Sequence, residues 1–176
     1  MDFPDFVIRR LEPGPDTGLY RDIRLEALRT APEAFVSDYA TEKEKPAESF
    51  AATLTAAAMF GAFHGDELLG IAGLYVEPKA RLAHKGTLWA VYVRPKARSA
   101  GVARRLIQAV LDHAEGEVEQ VNLAVERGNI NARRLYTSLG FVEYGLEKNA
   151  VKIGDRYFDD VLMVKTLARK AALGGR

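Results

Sequence analysis

A short segment after a predicted strand has the residue types needed to hold an anion. Residues 98–103, Arg98-Ser99-Ala100-Gly101-Val102-Ala103, follow the break at Pro95 and open a predicted helix. The first turn of a helix presents unpaired backbone N–H groups and the positive end of the helix dipole, so phosphate oxygens bind there. Gly101 and Ala103 lack the bulk that would prevent close approach. The segment therefore predicts a phosphate or pyrophosphate site.

Cationic side chains concentrate positive charge at the same place. Arg98 can add charge-assisted hydrogen bonds to a pyrophosphate, and Lys96, Arg104 and Arg105 strengthen the local field. The formal net charge of the whole chain is only +1, so the chain offers no general field for nucleic acid or an anionic membrane. Nucleic-acid binding is an alternative that no familiar motif supports; its cluster would be Arg94, Lys96, Arg98, Arg104 and Arg105.

A second motif lies further along the chain. It reads Asn129-Ile130-Asn131-Ala132-Arg133-Arg134-Leu135-Tyr136, followed by Leu139-Gly140-Phe141. This segment is similar to the N-x-x-A-x-x-L-Y…G-F segment of the GNAT superfamily of acetyl-CoA-dependent N-acetyltransferases. Arg98-x-x-Gly101-x-Ala103 resembles the coenzyme A pyrophosphate loop of that superfamily, written Q/R-x-x-G-x-G/A. Both motifs stand in the expected order, whereas the first half of the chain matches only in its pattern of elements.

The resemblance implies acetyl-CoA as co-substrate and a set of residues that hold it. In this superfamily two central parallel strands separate at a bulge, and pantetheine pairs there with backbone amides. Packing in the core is the structural alternative for the strand residues, and helix capping is the alternative for the asparagines. The implied cofactor contacts are Val91, Tyr92, Val93, Arg98, Ser99, Ala100, Gly101, Val102, Ala103, Arg104, Asn129, Asn131 and Tyr136.

The resemblance also assigns chemistry to Tyr136, as the general acid that protonates the departing thiolate. The alternative is a core tyrosine whose hydroxyl is satisfied at an edge. An amine with a pKa near 10.4 must lose a proton before it attacks, so a base or a water relay is needed. Glu77 and Glu126, at the ends of predicted neighbouring strands, are the base candidates, with Glu33 and Asp38 in the connector behind them. Trp89 stands where some members of the superfamily carry a catalytic glutamate, which favours a water relay.

Two residue counts limit the chemistry further. The chain has no cysteine, which excludes disulfides, thiolate metal sites and a cysteinyl acyl intermediate. His64, His84 and His113 have no paired metal-ligand spacing, so no metal is expected. Direct transfer follows, in which both substrates bind together and a strand amide such as that of Val91 stabilises the oxyanion. The alternative function is a non-catalytic, regulatory domain that binds acyl-CoA.

The predicted elements form an α+β domain in a mixed, largely antiparallel sheet with a central parallel pair, flanked by helices. The clearest helix has apolar residues at 102, 103, 106, 107, 110, 111 and 114, repeating every three to four positions. Gly65-Asp66 and Gly154-Asp155 predict hairpin turns. Strands are expected at residues 7–11, 59–64, 67–77, 87–94, 121–125, 141–151 and 157–167, and helices at 17–29, 46–58, 100–114 and 129–139.

The acceptor amine is not identified by any motif. In the superfamily it is bound by the first two helices, their connector and the last hairpin; here Phe35, Tyr39, Phe50, Trp89 and Tyr144 are candidate lining residues, with Glu33 or Asp38 as an acidic companion. A small-molecule amine and a peptide or protein amine both remain open. A length of 176 residues predicts one domain over residues 1–176, and the lack of an apolar span or signal peptide predicts a cytoplasmic protein. The resemblance also allows a homodimer.

Overall fold

The computed structural model describes residues 5–168. The ends of the predicted domain and the predicted frayed tail at residues 171–176 lie outside the described residues. Seven strands form one sheet in the order β1-β2-β3-β4-β5-β7-β6. The strands are Val7–Arg10 (β1), Ala58–His64 (β2), Glu67–Val76 (β3), Lys85–Val93 (β4), Gln120–Glu126 (β5), Val142–Ile153 (β6) and Arg156–Thr166 (β7). The helices are Thr17–Thr30 (α1), Tyr39–Glu42 (α2), Ala47–Ala56 (α3), Val102–Ala114 (α4) and Ile130–Ser138 (α5), with 3₁₀ turns at Pro32–Ala34 and Pro95–Ala97.

The sheet is mixed, as predicted. Strands β4 and β5 are parallel, and every other neighbouring pair is antiparallel. Parallel neighbours require a crossover, which α4 supplies with its apolar stripe against the sheet. Both predicted hairpins form, β2–β3 around Gly65 and β6–β7 around Gly154, and each of these glycines has a positive φ.

Each face of the sheet carries a separate core. Helices α4 and α5 cover one face, where Leu106, Ile107 and Val110 are fully buried. Helices α1 and α3 cover β2 to β4 on the other face through a second cluster that includes Ile23 and Leu54. The half of the sheet formed by β5, β7 and β6 lies beyond this second layer, and on that side the 3₁₀ turn at Pro32–Ala34 packs against β5 and β6.

The predicted start of α1 at residue 17 is confirmed, whereas the predicted start of α4 needs correction. Asp16 occupies the N-cap position of α1 but makes no capping hydrogen bond; its carboxylate instead accepts from Arg9 and from the N–H of Glu12. Helix α4 begins at Val102 rather than at Ala100, because Ser99 and Gly101 have positive φ angles that a helix does not contain.

The connector at residues 33–45, predicted as irregular, contains α2. Asp38 caps this short helix by accepting from the N–H of Thr41 at 2.8 Å. Glu42 ends it and accepts two hydrogen bonds from Arg24 in a buried ion pair. The following helix ends at Ala56, not at residue 58, because Ala58 already pairs with Leu74 in the sheet.

Candidate active site

The parallel strands β4 and β5 separate after three residue pairs. They pair at Lys85, Gly86 and Thr87, opposite Gln120, Val121 and Asn122, and no pairing continues beyond Thr87 in the described chain. The cause lies on the other side of β4, where the register with β3 shifts between Ile71 and Gly73. One residue of β3 there faces two of β4, Ala90 and Val91, which is a β-bulge. Ala90 has φ +53°, so the backbone of β4 departs from regular strand geometry at the bulge.

A cleft of about 900 Å³ fills the gap between the separated strands. Of the residues that the sequence assigned to cofactor binding or catalysis, all but four line this cleft; the exceptions are Ala100, Glu77 and, in the connector, Glu33 and Asp38. The predicted residues brought together here are Val91, Tyr92, Val93, Arg98, Ser99, Gly101, Val102, Ala103, Arg104, Glu126, Asn129, Asn131 and Tyr136.

The start of α4 has the geometry of an anion cradle. Its first helical hydrogen bond is donated by the N–H of Arg105 to the carbonyl of Gly101, so the N–H groups of Val102, Ala103 and Arg104 have no helical acceptor. Gly101 has φ +77°, and a Cβ placed on it would meet nothing within 4 Å. The loop therefore leaves open space directly in front of these donors.

Only two of the four nearby cations face this cradle. Arg98 lines the cleft and is held in place by donating to the carbonyl of Val93 at 3.1 Å, and Arg104 lines it while donating to Ser138 at 2.7 Å. Lys96 is instead paired with Glu67. Arg105 lies over the ring of Phe6 and donates to its carbonyl. The positive charge at the site therefore comes from Arg98 and Arg104.

Tyr136 reaches the cleft from α5. The residue is only 7% exposed, and its ring packs edge-on against Phe141 with the centroids 5.8 Å apart. Burial raises the pKa of the Tyr136 phenol to about 12, so the hydroxyl carries its proton at neutral pH. Among residues 5–168 the hydroxyl has no hydrogen-bond partner. A protonated donor is thus left available to whatever enters the cleft.

The two asparagines of the second motif differ in their structural roles. Asn129 caps α5, since its side chain accepts from the N–H of Ala132 at 3.2 Å. Both Asn129 and Asn131 also line the cleft. The capping role predicted for Asn129 is confirmed, and contact of either residue with a cofactor stays a prediction.

The wall formed by α1 and its connector is aromatic and contains a neutralised cation. Arg24 lies 5.0 Å from the ring centroid of Phe35 and 5.9 Å from that of Trp89, and it is paired with Glu42. Hydrogen bonds from Arg24 and its charge outweigh desolvation by burial and lower the pKa of Glu42. Val36, which is 90% exposed, stands at the mouth of the cleft.

Several predicted acceptor residues lie elsewhere. Phe35 and Trp89 line the cleft, whereas Tyr39, Phe50 and Tyr144 do not. Glu33 is also absent from the lining, and the carboxylate of Asp38 is occupied as a helix cap. Four residues that were not predicted from the sequence also line the cleft: Arg24, Ser37, Val151 and Asp160. Asp160 could have been found only from the register of β7 against β5.

The prediction that Glu77 and Glu126 lie at the ends of neighbouring strands is wrong, because β4 lies between β3 and β5. Glu126 ends β5 and lines the cleft, and one of its carboxylate oxygens accepts from the N–H of Gly128 at 2.8 Å. Glu77 follows the end of β3, next to the pair Val76–Gly86, where β4 and β5 are still joined. Of the two, Glu126 is the one placed to act on an acceptor.

Neither metal sites nor membrane spans are found within residues 5–168. No group of three or more His, Cys, Asp or Glu side chains there is arranged to hold a metal ion. None of the helices in the same range combines the length and apolar character needed to cross a bilayer.

The separated parallel strands, the cradle at the start of α4 and the tyrosine on α5 are the features that the resemblance to the GNAT superfamily predicts. The family model described as "Acetyltransferase (GNAT) family" matches residues 21–141, and the chain belongs to this family. A mycothiol acetyltransferase of Thermobispora bispora is 29% identical over 150 residues, which are 83% of this chain and 50% of that protein. The chain thus spans about half the length of this curated relative.

Solved structures share the fold over nearly the whole chain. A ribosomal-protein-alanine N-acetyltransferase from Brucella melitensis is 24% identical with a TM-score of 0.79, covering 92% of this chain and 99% of that one. A putative acetyltransferase from Salmonella typhimurium, solved with its cofactor acetyl-CoA, is 18% identical with a TM-score of 0.82 and covers 98% and 99%. The predicted fold and family are confirmed.

Acetyl-CoA is the acyl donor of this family, and the residues of the cleft fit it. The N–H groups at the start of α4, the open space at Gly101 and the charge of Arg98 and Arg104 suit a pyrophosphate. The edge of β4 that faces β5 has no strand partner beyond Thr87 in the described sheet. The backbone groups on that edge are therefore free to pair with the amides of pantetheine.

Proposed function

We propose that this chain is an N-acetyltransferase that moves the acetyl group of acetyl-CoA directly to a primary amine. The proposal rests on the hydroxyl of Tyr136, which is buried, protonated and without a hydrogen-bond partner among residues 5–168. This hydroxyl lies in a cleft that also contains the cradle for a pyrophosphate. A domain that only binds acyl-CoA has no need of such a donor. The proposal treats residues 1–176 as one acetyltransferase domain.

The residues that line the cleft have separate roles in the proposed reaction. The N–H groups of Val102, Ala103 and Arg104, with the side chains of Arg98 and Arg104, hold the pyrophosphate. The free edge of β4 at Val91, Tyr92 and Val93 aligns the pantetheine and supplies an N–H to the carbonyl oxygen as negative charge develops on it. Tyr136 donates its proton to the departing sulfur.

The cleft works chiefly by positioning. Its two walls bring the donor and the amine together in one orientation, which removes much of the entropy cost of a bimolecular encounter. With no cysteine in the chain, the acyl group has no thiol on which to pause, so both substrates bind before transfer.

The acceptor is an amine of a small molecule or of a peptide. The relatives differ on this point by name, one being a mycothiol acetyltransferase and another a ribosomal-protein-alanine N-acetyltransferase. The mycothiol acetyltransferase is about twice as long as the region that matches this chain. The ribosomal-protein-alanine N-acetyltransferase shares only the fold with this chain. Both acceptor classes therefore belong in the same screen.

The first experiment is a calorimetric titration of the purified protein with acetyl-CoA, free coenzyme A and ATP. Selective micromolar binding of acetyl-CoA is expected, with ATP as the control for simple attraction of phosphates. An amine screen follows, read with a thiol reagent, which detects only released coenzyme A because the protein has no cysteine. Tight binding without release of coenzyme A for any amine favours the non-catalytic alternative, and no binding removes the proposal.

A further inference from the structure

The strands β5 and β7 present different residues to the two faces of the sheet. Val121, Leu123 and Val125 of β5 belong to the core under α4 and α5. Side chains alternate along a strand, so Glu126 projects from the opposite face. Asp160, directly across from Glu126 on β7, shares that face. The cleft passes through the gap in the sheet and is lined by Tyr136 on one face and by these two carboxylates on the other.

Three carboxylates stand side by side on this face. Asp160 pairs with Glu126 of β5 on one side and with Glu147 of β6 on the other. Like charges directly opposite each other in a sheet are destabilising. None of the three forms an ion pair within residues 5–168. We refer to Glu126, Asp160 and Glu147 as the acidic row.

Two neighbouring carboxylates of the same hairpin, by contrast, form ion pairs. Asp159 is paired with Arg127 and accepts from the N–H of Asn149 at 2.9 Å. Glu143 is paired with Arg133. The hairpin therefore compensates the charges of Asp159 and Glu143 and leaves the acidic row, two of whose members line the cleft, without an ion-pair partner among residues 5–168.

Two members of the acidic row line the cleft together with the bulge of β4. The last residues paired between β4 and β5 are Thr87 and Asn122. Val91 and Glu126 come further along these strands, Val91 within the bulge of β4, and both line the cleft, as does Asp160 one strand beyond. An amine that approaches the bulge from this face must pass the acidic row.

The charged surroundings of Asp160 favour its acting as a base. Desolvation by burial, followed by the charges of Glu147, Glu126 and Asp159, raises the pKa of Asp160. The 3₁₀ turn that packs on β5 and β6 carries Glu33, which does not line the cleft. Arg24, a cation that lines the cleft, is already neutralised by its pairing with Glu42. A carboxylate with a raised pKa is a better proton acceptor than an ordinary one.

We propose that the acidic row admits the acceptor as an ammonium cation without a nearby anionic group, and that Asp160 receives the proton that this ammonium must lose. The inference rests on the proposed acetyltransferase function and names its substrate class. Asp160 takes the first proton and releases it to solvent. The second proton leaves the nitrogen to water as the N–C bond forms and the C–S bond breaks. Tyr136 gives its own proton to the sulfur, and a proton from solvent then restores the Tyr136 hydroxyl.

A binding experiment tests selectivity without turnover. Protein loaded with coenzyme A is titrated with 1,5-diaminopentane, pentylamine and 5-aminopentanoate, which share one chain length and end in a cation, a methyl group and an anion. Wild type is expected to bind the diamine at least about tenfold more tightly than the aminocarboxylate. Asp160→Asn is expected to remove most of that difference, and Asp155→Asn, which removes an exposed charge from the turn of the same hairpin, to preserve it.

The pH profile tests proton transfer, using whichever of these amines is acetylated. With a base on the enzyme, kcat/KM of wild type is expected to level off well below the amine pKa of about 10.4. In Asp160→Asn it is expected to rise about tenfold per pH unit toward that pKa, because only the free amine then reacts. Profiles of the same shape, or binding indifferent to charge in wild type, would overturn the inference. Selective binding without acetylation of any probe would support the row and count against the proposed function instead.

Discussion

Tyr136 and Asp160 line one cleft from opposite faces of the same sheet. Tyr136 belongs to the core under α4 and α5, and Asp160 lies on the face that this core does not reach. They meet the same space because β4 and β5 separate between them. A phenol and a carboxyl group, each with its pKa raised by burial, therefore line the cleft from its two sides.

Tyr136→Phe tests the donor. The hydroxyl has no partner in the described chain, so its removal should leave the fold and the affinity for acetyl-CoA nearly unchanged while turnover falls by about 100-fold. Steady-state kinetics and calorimetry on the same preparation measure both quantities. An unchanged turnover would remove the role assigned to Tyr136.

Gly101→Glu tests the cradle. A carboxylate there would occupy the open space in front of the helix N–H groups and repel the pyrophosphate, and we expect affinity for acetyl-CoA to fall by at least about 100-fold. The positive φ adds a strain of about 1–2 kcal/mol. Gly14→Glu is the matched control, because Gly14 also has a positive φ and open surroundings but does not line the cleft. Equal affinity in the two variants would contradict the assignment.

Glu42→Gln tests the buried ion pair behind the cleft. The side chains of Arg24 and Glu42 are 7% and 10% exposed, so removing the carboxylate leaves a buried guanidinium without its counter-charge. The free energy of unfolding should fall by about 3 kcal/mol in urea titrations. The double variant Arg24→Met/Glu42→Leu should recover part of this loss, since neither charge then remains. If the double variant is the less stable of the two, the pair contributes through packing and not through compensation of charge.

Asp160→Asn should stabilise the free protein at neutral pH. The pKa of Asp160 is raised in the folded state, so folding favours the protonated carboxyl, and stability declines as pH rises from the ordinary value of 3.8 through the folded pKa. The amide removes this charge and its repulsion by Glu126 and Glu147, a gain of about 0.5 kcal/mol at pH 7. Below about pH 3.8 the gain should vanish, because the carboxyl is then neutral in both states. Thermal unfolding of wild type and Asp160→Asn at pH 7 and below about pH 3.8 measures the gain in stability at each pH. A gain of equal size at both would refute the charge-based explanation.

Much of this site could be predicted from sequence because its cofactor half is local. Residues 98–104 and 129–136 are contiguous motifs, and the physics of a helix start acts within a single turn. The acceptor half is not local. Asp160 becomes neighbour to Glu126 and Glu147 only through the register of three strands, and β6 contains two irregularities that shift its pairing with β7. Alternation along one strand does not reveal such a register.

The helix in the connector was missed for a related reason. Tyr39–Glu42 is too short to show a period, and Glu42 looks like one acid among several until α1 presents Arg24 to it. The bulge at Ala90 was expected from the resemblance, but an alanine with positive φ has no sequence signature. Tertiary contacts determine both features.

The short contact between β4 and β5 makes this sheet two half-sheets with a narrow seam. Three residue pairs join β1–β4 to β5–β7 across it, so the amides just beyond Thr87 should exchange their hydrogens sooner than those at the centre of either half. A molecule that pairs with both edges of the seam acts as the missing strand. Binding of acetyl-CoA should therefore tighten the coupling between the halves, so that the enzyme is most cohesive when it is loaded for transfer and loosens as product leaves.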